Sequence, residues 1–153
     1  MTESWTKERG VEIIRAHQRQ AGATLPILHA LQDAFGCVPK EAVPLIADAL
    51  NLSRAEVHGT ISFYHDFRSR PPGRHVLKLC RAEACQAMGG DALAAAAEAK
   101  LGAPIGETVG DVTVEPAYCL GLCACAPAAM LDGKPCGRLD RERLERLLEG
   151  TAR

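Results

Sequence analysis

The sequence predicts an α/β protein in two parts: a helical bundle over residues 1–70, then a domain of alternating strands and helices over residues 74–153. Three observations lead there. Up to Phe67 the apolar residues recur at helical spacing, with caps and breakers between the runs. At Arg68-Ser69-Arg70-Pro71-Pro72-Gly73-Arg74 the chain turns basic and rich in proline and glycine. Beyond it, short alternating strands are interleaved with alanine- and leucine-rich helical segments.

In the first part, Trp5 to Gln20 is a charged amphipathic segment ending before Gly22. From Thr24, Leu25, Leu28, Leu31 and Phe35 form the stripe of a second helix, closed by Gly36. A third carries Leu45, Ile46, Ala49 and Leu50, with Pro44 accommodated in its first turn and Asn51 ending it. Ser53-Arg54-Ala55-Glu56 has the capping-box pattern and opens a fourth, through Val57 and Ile61.

In the second part, His75 to Leu79 is a strand that delivers Cys80 at its end. Asp91 to Lys100 is a helix stopped by Gly102, and Val112 to Glu115 a strand running toward Cys119. Ala128–Leu131 and Pro135–Leu139 flank Asp132-Gly133 as a hairpin with a tight turn. Asp140 caps a last helix with Leu144, Leu147 and Leu148 on one stripe and Glu142 set to pair with Arg146. The order β-α-β-β-β-α is a thioredoxin-like plan, in which loops at one end of the sheet carry the site.

Composition narrows the class. With 153 residues and 47% hydrophobic content the chain buries a real core, and its net charge of −1 gives no electrostatic case for nucleic acid or acidic lipid. Glu3, Lys7, Glu8, Arg9, Glu12 and Arg15 leave no room for the apolar run of a signal peptide. No stretch approaches the ~20 apolar residues of a membrane span. The expected location is therefore cytoplasmic, where clustered cysteines bind metal or do redox chemistry more often than they form disulfides.

The chemistry lies in two close cysteine pairs, Cys80-x4-Cys85 and Cys119-x3-Cys123. Four thiolates from two loops complete the ligand set of an iron–sulfur cluster or a structural zinc. Each iron of a [2Fe–2S] centre needs two protein ligands, so two pairs suit it, and Gly121 lets the second loop fold tightly. Zinc remains open on spacing alone. A Rieske centre needs two histidines in these loops, and none of His17, His29, His58, His65 or His75 lies there. A thioredoxin dithiol needs C-x-x-C, which the chain lacks. Neither a dinucleotide-binding glycine motif nor a P-loop is present, and no acid–base constellation suggests a catalytic residue.

Other residues have plainer readings. Cys37 and Cys136 are expected to be small apolar residues, and Cys125 a bystander beside Cys123. Phe63, Tyr64 and Phe67 are either core or a seam, with a partner or between the two regions. Arg138, Arg141, Arg143 and Arg146 read as a solvated helix face or a dock for an acidic partner.

Taken together, Leu28 to Ala55, Phe63-Tyr64, Gly73, Cys80-x4-Cys85 and Cys119-Leu120-Gly121-x-Cys123 followed by Ala126-Pro127 resemble the thioredoxin-like [2Fe–2S] subunit family of NADH-oxidising complexes, the 24-kDa-type subunit of complex I and its relatives. Within it, Cys80-Arg81-Ala82-Glu83-Ala84-Cys85-Gln86-Ala87-Met88-Gly89-Gly90 is most similar to the gamma subunit of soluble NAD-dependent formate dehydrogenases. The resemblance implies that Cys80, Cys85, Cys119 and Cys123 ligate one [2Fe–2S] cluster. It also implies a flavin- and NAD-binding partner subunit and a larger molybdenum-containing subunit that oxidises formate. The alternatives are the homologous subunit of complex I or of a bidirectional NAD-reducing hydrogenase, a free-standing thioredoxin-like ferredoxin, and a zinc-stabilised interaction module.

Overall fold

A computed structural model describes residues 3–151. The chain divides into two compact units, the first ending at Pro71 and the second beginning at Pro72. Among the described residues, no helix is long and apolar enough to cross a membrane.

The first unit is four helices: α1 (Lys7–His17), α2 (Thr24–Phe35), α3 (Ala42–Leu50) and α4 (Arg54–Phe63). Helix α1 is shorter than the sequence predicts because Thr6 caps it, its hydroxyl accepting from the Arg9 N–H at 3.3 Å. Trp5 is thereby left outside the helix, edge-on to Phe35 with ring centroids 5.0 Å apart. Gly36 and Asn51 both end their helices in the left-handed conformation. The capping box of Ser53 and Glu56 is fully formed.

Ile14, Ile27, Leu28, Leu31, Ile46 and Val57 fill the centre of this bundle. Gln32 ties the closing loop to it: its amide donates to Asp66 O and accepts from the Arg68 N–H, each at 2.7 Å. The aromatic trio divides, since Phe67 joins the core while Phe63 and Tyr64 are exposed.

The second unit contains β1 (His75–Cys80), α5 (Glu83–Ala87), α6 (Gly90–Leu101), β2 (Thr108–Val109), β3 (Val112–Ala117), β4 (Ala129–Leu131), β5 (Lys134–Cys136) and α7 (Arg141–Gly150). Its sheet runs β2-β3-β1-β4-β5, with β1 and β3 parallel and the other neighbours antiparallel. Leu77, Leu79, Val112, Val114 and Ala129 share one core with Leu93 and Ala97 of α6 and Leu144 and Leu148 of α7. The strand-helix order expected from the sequence is present, with β2 and α5 added.

Local chemistry explains the joints. Gly73 lies against the Asp111 backbone, where a β-carbon would stand 2.4 Å from the carbonyl oxygen. Its N–H donates to the buried Thr113 hydroxyl at 2.8 Å, which also pairs with Thr108 at 2.7 Å. Pro116 is tolerated inside β3 because Ala117 O faces β1 while Val114 O faces the outer edge. By alternation, the missing N–H of Pro116 also falls on that outer edge.

Arg143 departs from the expected solvated face. Its guanidinium donates to Gly137 O at 2.8 Å, to Arg138 O at 2.9 Å and to Cys136 Sγ at 3.4 Å, so it pins the end of β5 to α7. Arg146 and Arg141 do lie on the exposed helix, paired with Glu142 and Glu145.

The hairpin turn is held by its own aspartate. Asp132 and Gly133 both take positive φ (49° and 78°), the geometry of a type I′ turn. The Asp132 carboxylate reaches across to accept from the Val76 N–H and the His75 Nδ1, each at 2.8 Å. Burial raises its pKa, but these donors outweigh burial and hold it below the ordinary carboxylate value. Because the folded value is depressed, the stabilisation is complete above the unfolded pKa of ~3.9 and is lost as pH falls through the folded value. Asp132→Asn, which tolerates the same backbone, should destabilise the second unit at neutral pH by on the order of 0.5–1 kcal/mol after solvent screening. Chemical denaturation across pH 2–7 should show wild type and variant converging at the acid end.

Candidate metal centre

The ends of β1 and β3 carry the site. Cys80 is the last residue of β1 and stands opposite Ala117 at the end of β3, so the loops after both strands leave the sheet at one edge. The Arg81 N–H continues the ladder to Ala117 O at 2.7 Å, and the Cys80 N–H donates to Ala128 O at 3.0 Å on the other side.

Cys85 precedes the long helix α6 but is not part of it. It sits inside the separate short helix α5, whose first turn returns the chain to Cys80. The N-terminus of α6 presses on this loop: a β-carbon on Gly90 would stand 2.7 Å from Cys85 O. In the second loop, Cys119 takes φ 115° and Gly121 φ 73°. Positive φ at a residue with a β-carbon costs on the order of 1–3 kcal/mol and persists where surrounding structure over-determines it. The Gly121 N–H donates to Cys119 Sγ at 3.4 Å, closing this turn on the sulfur.

The sulfurs come together as two pairs. Cys85 lies beside Cys80 and Cys123 beside Cys119, close enough for Cys80 and Cys85 to shift each other's thiols and for Cys119 to shift that of Cys123, and Cys123 is within electrostatic reach of both Cys80 and Cys85. Among the described residues no three metal-ligating side chains converge as a site for one metal ion. Two thiol pairs facing each other are the donor set of a two-iron cluster, which takes one pair per iron.

The pairs differ in surroundings. Cys80 and Cys85 are buried with Ala128, packed against Ala82, Leu120, Leu122 and Ala126. Cys119 and Cys123 are exposed. Burial pushes the Cys80 thiol up, but the Ala82 N–H, the Cys85 thiol and the N–H groups of Leu120 and Cys119 all act on its sulfur, and the net shift is downward. The Cys85 thiol is raised, first by burial and then by donation to Cys80, against the Ala128 N–H that favours its thiolate. Cys123 is raised chiefly by its bond to Cys119. Backbone donors aimed at sulfur are the means by which a protein accommodates and tunes a thiolate-ligated cluster, so these residues fit one.

The remaining cysteines are elsewhere. Cys37 is buried in the helical unit, its thiol raised by burial and by Glu41. Cys136 is half-buried and accepts from Arg143. Cys125 lies against Gly137, where a β-carbon would stand 2.6 Å from its own. Backbone N–H groups of such loops are expected to act on the sulfurs, but which residues supply them, here Ala82, Leu120 and Ala128, leaves no mark in cysteine spacing.

Comparison with known proteins settles the family. The family model of the thioredoxin-like [2Fe-2S] ferredoxins matches residues 11–152. The chain belongs to this family. The cofactor of this thioredoxin-like ferredoxin is thus the [2Fe–2S] cluster rather than the zinc that spacing alone left open. A component of the NADH-quinone oxidoreductase of Pseudomonas aeruginosa is 32% identical over 129 residues, 83% of this chain and 78% of that one. The HndA component of the NADP-reducing hydrogenase of Solidesulfovibrio fructosivorans is 29% identical over 140 residues, 90% and 82% of the two chains. The crystal structure of an air-oxidized NAD+-reducing [NiFe]-hydrogenase matches with a TM-score of 0.66 and 31% identity, covering 82% of this chain and 22% of that one. The thioredoxin-like ferredoxin therefore spans about a fifth of that hydrogenase chain.

The close approach at Gly90 offers a test of the scaffold. Gly90→Ala places a β-carbon against the Cys85 carbonyl, where backbone rather than a flexible side chain must move. The expected cost is about 1–3 kcal/mol in urea denaturation, exceeding the small helix-propensity gain of alanine.

Proposed function

We propose that the chain is an electron-transfer subunit of an NAD-linked oxidoreductase complex, holding one [2Fe–2S] cluster through Cys80, Cys85, Cys119 and Cys123. It exchanges electrons with the flavin of an NAD-binding partner subunit. The observation that carries this reading is the meeting of two cysteine pairs from loops after two parallel strands. The relatives in NADH-quinone oxidoreductase and NADP-reducing hydrogenase support it.

When bound, a [2Fe–2S] cluster supplies a one-electron carrier, at roughly −400 mV for all-cysteine plant-type centres. The chain's own residues divide the remaining work. Ala128, Leu120, Leu122 and Ala126 exclude water from the Cys80–Cys85 side. The exposed Cys119–Cys123 side, bordered by exposed Tyr118, is where a partner's cofactor can approach. N–H groups of Ala82, Leu120 and Ala128 are oriented in advance toward the sulfurs.

For the parent complex we favour an NAD-dependent formate dehydrogenase with a molybdenum-containing subunit, in the cytoplasm. The support is the run from Cys80 to Gly90, whose Met88 lies exposed on the α5–α6 turn. Tagged protein purified anaerobically from its native host should bring down a flavoprotein and a molybdenum-containing subunit, and formate should reduce its EPR signal. Reduction by NADH but not by formate would remove the formate assignment and keep the electron-transfer role. Cluster-loaded protein with no flavoprotein would indicate a free-standing carrier.

The ligand set has its own test. Dithionite-reduced protein should give a low-temperature S = 1/2 signal with average g below 2 and assay for two irons and two sulfides. Cys119→Ser should abolish or grossly alter that signal, whereas Cys125→Ser should leave both spectrum and iron content within error of wild type. A reversed pattern would transfer the ligand role to Cys125.

A further inference from the structure

Arg81 follows Cys80 directly, and its side chain lies across the loop to Asp91 in the first turn of α6, Nη2 to Oδ1 at 3.0 Å. That carboxylate is 61% exposed, so water weakens its hold on the guanidinium, whose own side chain is only 30% exposed. The Arg81 Nε is buried without any hydrogen-bond partner. Buried donors almost always find acceptors, and one left over points to a negative charge that belongs nearby. Adjacent Cα atoms are ~3.8 Å apart, so the guanidinium lies on the order of 10 Å or less from the backbone of Cys80. That span is about one Debye length at physiological salt, and the half-buried guanidinium is screened less than a fully exposed charge would be, so the two charges still interact.

We infer that Arg81 is the charge that sets the potential of the centre: an incompletely neutralised guanidinium beside Cys80 that favours the reduced, more negative state. This rests on the ligand assignment above. Arg81 acts through its field and holds no ligand position. Asp91 is its counterweight, and the two together fix how readily the site accepts an electron. Removing the positive charge makes the centre harder to reduce, and removing Asp91 makes it easier.

The test is an EPR-monitored redox titration of the cluster-loaded protein, wild type against Arg81→Gln, Arg81→Lys and Asp91→Asn, with iron and sulfide assayed on each sample. Arg81→Gln should lower the reduced-to-oxidised ratio at fixed potential by about threefold, which is about 30 mV for a one-electron couple. Asp91→Asn should shift it the opposite way, and Arg81→Lys should stay close to wild type. A merely structural ion pair would destabilise in both neutral variants while leaving the potential in place, or move it the same way in both. Either result overturns the inference. If Arg81→Gln fails to hold a cluster, the sign of the Asp91→Asn shift decides. Absence of iron from wild type would instead strike the ligand assignment, which separates the two failures.

Discussion

The parallel pairing of β1 with β3 is the constraint from which the site follows. Strands that run the same way end at the same edge, so the loops after Cys80 and Ala117 emerge side by side. An antiparallel pair would have sent them to opposite ends. Parallel neighbours require a long crossover, and here the crossover contains α5 and α6. Helix α5 is used to present Cys85, and α6 buries Leu93, Ala94 and Ala97 against the sheet. On its other side β1 pairs antiparallel with β4, which places Ala128 beside the first cysteine loop. One residue then serves both sulfur-bearing positions: Ala128 O accepts from the Cys80 N–H, and the Ala128 N–H favours the Cys85 thiolate.

Four thiolates in a small volume concentrate negative charge, and an apolar surround makes that charge more costly. Ala82, Leu120, Leu122 and Ala126 supply the apolar surround, so the chain has to offset the cost locally. It does so with backbone dipoles on the buried side and with solvent on the exposed Cys119–Cys123 side. The strained φ of Cys119 belongs to this arrangement, since it turns the loop so that the Gly121 N–H meets the Cys119 sulfur.

Much of this could be read from the chain because it depends on local chemistry. Gly36, Asn51, the Ser53–Glu56 box, the Asp132-Gly133 turn and the Asp140 cap each determine backbone within a few residues. The cysteine spacings point to the candidate site in the same way, since each pair lies within one short stretch of chain. What escaped depends on tertiary neighbours. Strand β2 has only two residues and exists because Val112 and Thr113 offer an edge. Helix α5 is too short to leave a periodicity. Arg143 reads as surface because its acceptors, Gly137 O and Arg138 O, are main-chain atoms outside its helix. Phe63, Tyr64 and Phe67 are all aromatic by type, and only the position of the α4 end separates the buried ring from the exposed ones.

Cys123 and Cys125 are alike in composition and differ in what surrounds them. Both lie in a single 3-10 turn, Cys123–Cys125. At three residues per turn, positions two apart are turned about 120° from each other, so the two thiols point to different sides of the turn. Cys123 lies beside Cys119 and within electrostatic reach of both cysteines of the first loop. Cys125 faces the chain after β5 instead: Gly137 packs on its β-carbon and the Arg138 N–H donates to its carbonyl. A side chain at 137 would press on the Cys125 β-carbon, so glycine there lets the chain after β5 pack against the turn that also carries Cys123.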